Sequence, residues 1–222
     1  MKRDLMPLNS FLFTSKLRMS PKPNLILRYM TVADLPQVME IDRLSFEIPW
    51  SEKSYRYEIN ESNQSFMVVL EWHREQVTTR WQRWLKIRPY TEHRIVGYGG
   101  MWYIAGEAHI STIAVHPKGR GHGWGEILLA GMVRRGFFLE ADEVALEVRV
   151  SNQRAQKLYQ KYDFQTVDVK RHYYRNNGED AYDMRMDTHN DLVCSHFETR
   201  YDALFTRHQL IDVFSPHSPP HN

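Results

Sequence analysis

From about residue 25 onward, apolar and polar positions alternate between strand-like and helix-like periods. Leu25-Ile-Leu-Arg-Tyr29 suits a strand. Asp34 then opens a helix whose apolar positions Leu35, Val38, Ile41 and Leu44 fit a 3.6-residue period. Pro49 breaks it, and Ser51 can cap a second short helix running to about Asn60. Phe66 to Leu70 and Ile95 to Tyr103 read as strands, the second punctuated by Gly97, Gly99 and Gly100. Glu107 to Val115 is a further strand, followed by a glycine-rich turn and a helix from about Gly123 to Leu139. Glu143 to Val150 alternates strictly, with Val144, Leu146, Val148 and Val150 on one side and Ala145, Glu147 and Arg149 on the other. Asn152 to Tyr162 predicts an amphipathic helix with Ala155, Leu158, Tyr159 and Tyr162 on one stripe. Phe164 to His172 and Tyr182 to Met186 predict a closing hairpin around Asn176-Asn177-Gly178.

Strands alternating with helices indicate one α/β domain with a mixed sheet over 25–187. Residues 1–24 read as an N-terminal extension, in which Met19 is an alternative start to Met1. Residues 188–222 read as a C-terminal extension holding at most a short helix, Arg200 to Val213. An insertion at about 72–94 interleaves Arg74, Arg80, Arg83, Lys86, Arg88 and Arg94 with Trp72, Trp81 and Trp84. It reads as a long hairpin excursion with a solvated basic face. Weak contact with RNA or a ribosome is the alternative, since guanidinium and aromatic groups bind phosphates and stacked bases.

Composition narrows the classes. The 222 residues are 42% hydrophobic and 25% charged, which excludes whole-chain disorder and fibrous structure. A net charge of +2, from 29 Lys+Arg against 27 Asp+Glu, gives no sign of a polyanion-coating protein. One cysteine, Cys194, excludes an internal disulfide and a cysteine-rich zinc site. His217-x-x-x-His221 has no carboxylate nearby and Cys194-x-His196 stands alone, so no metal is expected. Apolar runs such as Phe66 to Leu70 are far short of the ~20 residues that span a bilayer, and the first twenty residues lack a signal-like apolar stretch. A cytoplasmic protein is expected, and the absence of a Gly-x-Ser-x-Gly elbow gives no hint of a serine hydrolase.

The most informative stretch runs from Thr112 to Leu129, where an apolar strand ends in Arg120-Gly121-His122-Gly123-Trp124-Gly125 and a helix begins at once. Glycines let backbone N–H groups turn toward one point, and a helix N-terminus adds partial positive charge. Both favour a pyrophosphate, and Arg120 adds a formal charge. The plain alternative is a strand-to-helix turn that binds nothing. A Rossmann fingerprint starting at Gly121 would need Gly or Ala where Glu126 stands, and no Gly-Lys pair exists to make a Walker loop.

The remaining pattern, Arg120-x-x-Gly123-x-Gly125, resembles the phosphate motif of the GCN5-related N-acetyltransferase (GNAT) superfamily. Thr112-Ile-Ala-Val-His-Pro117, Leu146-Glu-Val-Arg-Val-Ser-Asn152, Leu158-Tyr159, Arg171-His-Tyr-Tyr174 and Phe46-Glu-Ile-Pro-Trp50 are similar to its RimI-type branch. The similarity covers about residues 28–187. It implies a mixed, mostly antiparallel central sheet of six to seven strands flanked by helices on both faces. It also implies acetyl-CoA as co-substrate, without a metal, and the N-terminal alanine of a ribosomal protein as acceptor.

Carried over residue by residue, the resemblance puts the pantetheine arm on the backbone of Ile113, Ala114 and Val115. The pyrophosphate falls on Arg120, Gly121, His122, Gly123, Trp124 and Gly125, with Glu126 at the edge. The family's general base aligns with Glu147, acting through water; a solvated strand glutamate paired with Arg149 is the plain alternative. The family's general acid aligns with Tyr159, although a core tyrosine would look the same. Asn152 contacts the cofactor in the family and is also a natural N-cap. Tyr173 and Tyr174, with Phe46, Pro49 and Trp50, would close over the acceptor. One departure is Tyr162-Asp163-Phe164, where the family commonly has Leu-Gly-Phe. Two rival readings remain: acetylation of a lysine side chain or small amine, and a CoA-binding or ribosome-associated module without turnover.

Overall fold

The computed structural model describes residues 25–75 and 91–216. The N-terminal extension, most of the Arg/Trp insertion, and His217 and His221 lie outside the described residues.

One sheet organises the chain. Its strands are β1 (Leu25–Tyr29), β2 (Ser65–Glu75), β3 (Thr91–Ile104), β4 (Glu107–Val115), β5 (Glu143–Arg149), β6 (Gln165–Tyr174), β7 (Glu179–Asp187) and β8 (Ile211–Asp212). They lie in the order β6-β7-β5-β4-β3-β2-β1-β8. Among the described strands, β4–β5 and β1–β8 pair in parallel and the other pairs are antiparallel. Among the described residues the sheet therefore has eight strands, one more than the expected six to seven. The extra strand is two residues long, too short to leave a period in the sequence.

Helices cover both faces. On one lie α1 (Leu35–Ser45) and α2 (Glu52–Asn60), burying Leu35, Val38, Ile41 and Tyr55 against Met67, Val69, Ile95 and Tyr98. Leu44 leaves the expected stripe and stays exposed, while Asp42 is buried in that turn. Asp42 is satisfied there: Tyr98 Oη donates to it at 2.5 Å and the Trp50 backbone N–H at 2.8 Å. Ser51 caps α2 by accepting from Ser54 N.

On the other face lies α3 (Trp124–Phe138), whose residues 127–133 are all buried. A helix apolar on all sides needs cover on all sides. The sheet gives one side and α5 (Asp191–His208) part of the other. Gly131 permits the close approach, since a Cβ there would meet Leu27 at 2.2 Å. The short helix α4 (Gln153–Lys161) follows β5, and Asn152 caps it by accepting from Ala155 N.

The C-terminal segment folds onto this core more extensively than a short helix over 200–213. Asn190 caps α5 at Leu192 N and Val193 N, and Phe197, Tyr201 and Leu204 bury one stripe of it. Phe214 is fully buried beside Tyr29, and Val213 N donates to Leu27 O. Asp163 occupies the left-handed conformation (φ 61°) where the family commonly has glycine. Its carboxylate accepts from Arg200 of α5 at 2.5 Å, a contact that glycine could not make.

Candidate active site

Strands β4 and β5 pair only from Glu107↔Glu143 to Ile110↔Leu146. Beyond that point they diverge. The β3–β4 ladder shifts register at the same place: Gly100 faces Thr112 and Met101 faces Ile110, which leaves Ser111 as a bulge. A bulge bends its strand and increases local twist, and here it coincides with the parting of the strands. The slot-side backbone groups of β4 after Ile110 therefore have no partner in β5.

The divergence opens a cleft of about 1090 Å³. Of the residues singled out above, Ile113, Glu147, Asn152, Tyr159, Phe46, Trp50, Tyr173 and Tyr174 line it. Pro49 does not line it, although its neighbours do. The side chain of Ala114 is buried against α1 and that of Val115 packs toward the α3 side, so only their backbones are available to a ligand.

The loop from Arg120 to Gly125 follows β4 into α3. Gly123 is the α3 N-cap with φ 81°, and Gly121 has φ 91°, conformations that glycine adopts without a Cβ clash. The backbone N–H groups of Gly121 to Gly125 donate to no acceptor among the described residues, which leaves an anion cradle at a helix N-terminus. Arg120 is exposed beside it. His122 and Trp124 stack on each other, with Trp124 covering Gly119. Glu126 is engaged away from the cradle, accepting from Tyr162 Oη at 2.9 Å and Lys161 Nζ at 2.5 Å.

Glu147 is nearly buried and doubly paired: His109 Nε2 lies 3.0 Å from one oxygen and Lys170 Nζ 2.5 Å from the other. Burial alone would raise its pKa, but the hydrogen bonds from His109 and Lys170 hold the carboxyl at about 2. The hydrogen bond to Glu147 in turn raises His109, against the effect of burial, and Glu107 adds to it. Lys170 also reaches Asp183, and Arg185 joins Asp183, Glu107 and Glu143 into one network on this face of the sheet. Arg149 is not the partner of Glu147. It binds Glu179, Asn176 and Asn177 and lies 3.7 Å from the Tyr174 ring.

Tyr159 is half-buried, its ring 6.0 Å from Phe164, and burial pushes its phenol up to about 12. It is therefore a protonated donor across the physiological range. The β6–β7 hairpin and the α1–α2 loop meet through a hydrogen bond from Asn176 to Glu47.

Several partners escaped the sequence reading. His109 and Lys170 come to Glu147 from β4 and β6, and Asn176 reaches a residue 129 positions away. His208, at the end of α5, stands over the cradle, with Nε2 3.2 Å from where a Gly123 Cβ would lie. No local spacing signals such pairs.

Among the described residues no helix is long and apolar enough to cross a membrane. The profile of the acetyltransferase (GNAT) family matches residues 35–164. A Bacillus subtilis protein provisionally named a ribosomal protein bS18-alanine N-acetyltransferase is 32% identical over 160 residues, 72% of this chain and 93% of its own length. An N-alpha-acetyltransferase of Sulfolobus acidocaldarius is 31% identical over 167 residues, 72% of this chain and 91% of its own. Among solved structures, the ribosomal-protein-S18-alanine N-acetyltransferase from Escherichia coli superposes with a TM-score of 0.58 at 23% identity, covering 73% of this chain and 93% of its own. With the parted strands, the N–H cradle and these likenesses together, the chain belongs to the acetyltransferase (GNAT) family and is an acetyl-CoA-dependent N-acetyltransferase.

Proposed function

We propose that the chain acetylates the N-terminal α-amine of a protein, and that this acceptor is the N-terminal alanine of a ribosomal protein. The observation that carries the reading is the cleft itself. Parted β4 and β5 edges, Glu147, Tyr159 and the aromatic groups Phe46, Trp50, Tyr173 and Tyr174 all line one space. The names of the B. subtilis and S. acidocaldarius relatives support the α-amine and the ribosomal acceptor.

In this reading, backbone groups of Ile113 to Val115 hold the pantetheine arm, and the cradle from Arg120 to Gly125 holds the pyrophosphate. Asn152 contributes from the start of α4. The acceptor amine attacks the thioester carbonyl, forming the C–N bond. Backbone N–H groups near Val115 face the developing oxyanion. Glu147 takes the amine's proton through water, and Tyr159 donates its proton to the sulfur as the C–S bond breaks.

The low pKa of Glu147 bears on the choice of acceptor. A carboxylate held at about 2 is a weak base, though it stays ionised and attracts an ammonium group. It suits an α-amine, which has a reference pKa of ~7.7–8.0 and is partly neutral already. A lysine ε-amine at ~10.4 asks more of a base.

The test is CoA release with two hexapeptides, one beginning with free alanine and one N-blocked but containing lysine. Turnover with the free alanine peptide alone supports the reading. Turnover with the lysine peptide alone overturns it in favour of side-chain acetylation. Silence with both, alongside tight acetyl-CoA binding, would point to an acceptor requirement beyond six residues or to a module without turnover.

A further inference from the structure

The β2–β3 register sets His73 directly opposite His93, and Glu71, two residues before His73, shares its face of the sheet. Glu71 Oε1 lies 3.1 Å from His73 Nε2 and 2.9 Å from His93 Nδ1, and one donor atom from each of the three residues falls within 4.8 Å of the other two. None of the three residues lines the acetyl-transfer cleft.

We propose that Glu71, His73 and His93 form a binding site for a divalent first-row transition metal ion of the zinc class. The two distances from Glu71 fit: donors ~2.0–2.1 Å from a tetrahedral zinc lie ~3.3 Å apart. The donor set fits as well. Two imidazole nitrogens and one carboxylate oxygen suit zinc, nickel or copper, whereas calcium and magnesium take oxygen ligands. A third observation concerns His73 Nε2. It is buried and has no hydrogen-bond partner, because its approach to Glu71 lacks hydrogen-bond alignment. A hydrogen-bonded Glu–His pair would satisfy that nitrogen, and here it is left as a free donor to an ion.

The surroundings complete the site. Arg28 Nε donates to the other Glu71 oxygen at 2.5 Å and so orients the carboxylate, as outer partners of metal ligands do. Asp34 pairs with the same guanidinium, which offsets its charge near a cation. Glu71 and His73 are largely buried, while His93 is about half exposed and leaves an entry path. A bound ion would clamp β2 to β3 near Glu75 and Thr91.

The experiment is calorimetric titration of chelator-treated, untagged, full-length protein with Zn²⁺, with Co²⁺ absorption as a second readout. Outer partners of metal ligands are worth ~10–100-fold in affinity, so His73→Ala and His93→Ala should each weaken the binding of one Zn²⁺ equivalent by at least about 100-fold. His189→Ala, on the exposed β7–α5 turn, should leave that equivalent unchanged. Saturating Zn²⁺ should raise the thermal midpoint of the wild type and not that of His93→Ala. Substitution at the half-exposed His93 leaves the core intact, so its loss of binding reads the site rather than the fold. The proposal is overturned if the wild type binds no Zn²⁺, or if His93→Ala binds it with unchanged affinity.

Discussion

His109 Nε2 lies 3.0 Å from Glu147 Oε2 next to the last paired rung of β4 and β5, so the carboxylate is anchored just where the two strands part. On its other side Lys170 holds it from β6. The group assigned to receive the amine's proton is thus fixed from two strands and kept ionised. Its position is set by the sheet rather than by its own rotamer freedom.

Replacing Glu147 with Gln keeps the shape and removes the charge. We expect kcat to fall by ~10²-fold, the low end of the range for a placed base because a carboxyl at about 2 is a weak one, with acetyl-CoA affinity unchanged by calorimetry. Equal turnover in the two proteins would remove Glu147 from the mechanism. For the wild type, kcat/KM should rise with pH through about 7.7–8.0 as the acceptor α-amine deprotonates, with no limb from Glu147 in that range.

The same carboxylate links stability to pH. Its folded pKa of about 2 lies below the ordinary value of 4.5. The ion pairs therefore add stability above pH 4.5, and that stability is lost as pH falls from there toward about 2. Denaturant midpoints measured over this window should fall less steeply for Glu147→Gln than for wild type. Identical slopes would show that the pairing with His109 and Lys170 does not persist in solution.

Tyr159→Phe removes one hydroxyl from the cleft. Turnover should drop by ~10²-fold or more, the lower bound for a general acid, while KM for acetyl-CoA stays within about twofold. Because the phenol sits at about 12, its ionisation should add no falling limb to the pH profile below pH 10. A KM effect without a kcat effect would make Tyr159 a wall of the cleft and not a donor.

The contact between Glu47 and Asn176 joins the α1–α2 loop to the β6–β7 hairpin across the side proposed for the acceptor. An exposed hydrogen bond is worth ~1 kcal/mol, about fivefold. Glu47→Ala, which removes this contact without touching the bond from Arg149 to Asn176, should therefore raise KM for the acceptor peptide about fivefold and leave KM for acetyl-CoA alone. If both constants move together, the contact supports the whole cleft instead.

Phe197 on α5 is buried against Phe137, Tyr162 and Tyr201. Phe197→Ala should cost ~3–5 kcal/mol as the cavity opens. For a domain of this size that lowers the thermal midpoint by about 10 °C, readable by scanning calorimetry. An unchanged midpoint would mean that α5 is not part of the folded core.

Much of this molecule is set locally and was legible in the order of residues. Strict alternation in Glu143–Arg149 placed Glu147 opposite the buried Leu146 and Val148, because side chains on a strand change face at every step. The caps Ser51 and Asn152 and the cradle at Gly121 to Gly125 depend only on backbone chemistry within a few residues. Tertiary structure decided what depends on pairing between distant segments. The cleft opens where β4 and β5 part beside the Ser111 bulge, and the strand order brought His109 and Lys170 to Glu147. The polar residues of Asp191–His208 dilute its apolar stripe, so the helix gains its cover only once α3 is in place. His73 and His93 look like isolated residues until the hairpin register sets them face to face beside Glu71. Periodicity is a property of neighbours in the chain, whereas a site is a property of neighbours in space, and only the packed sheet turns one into the other.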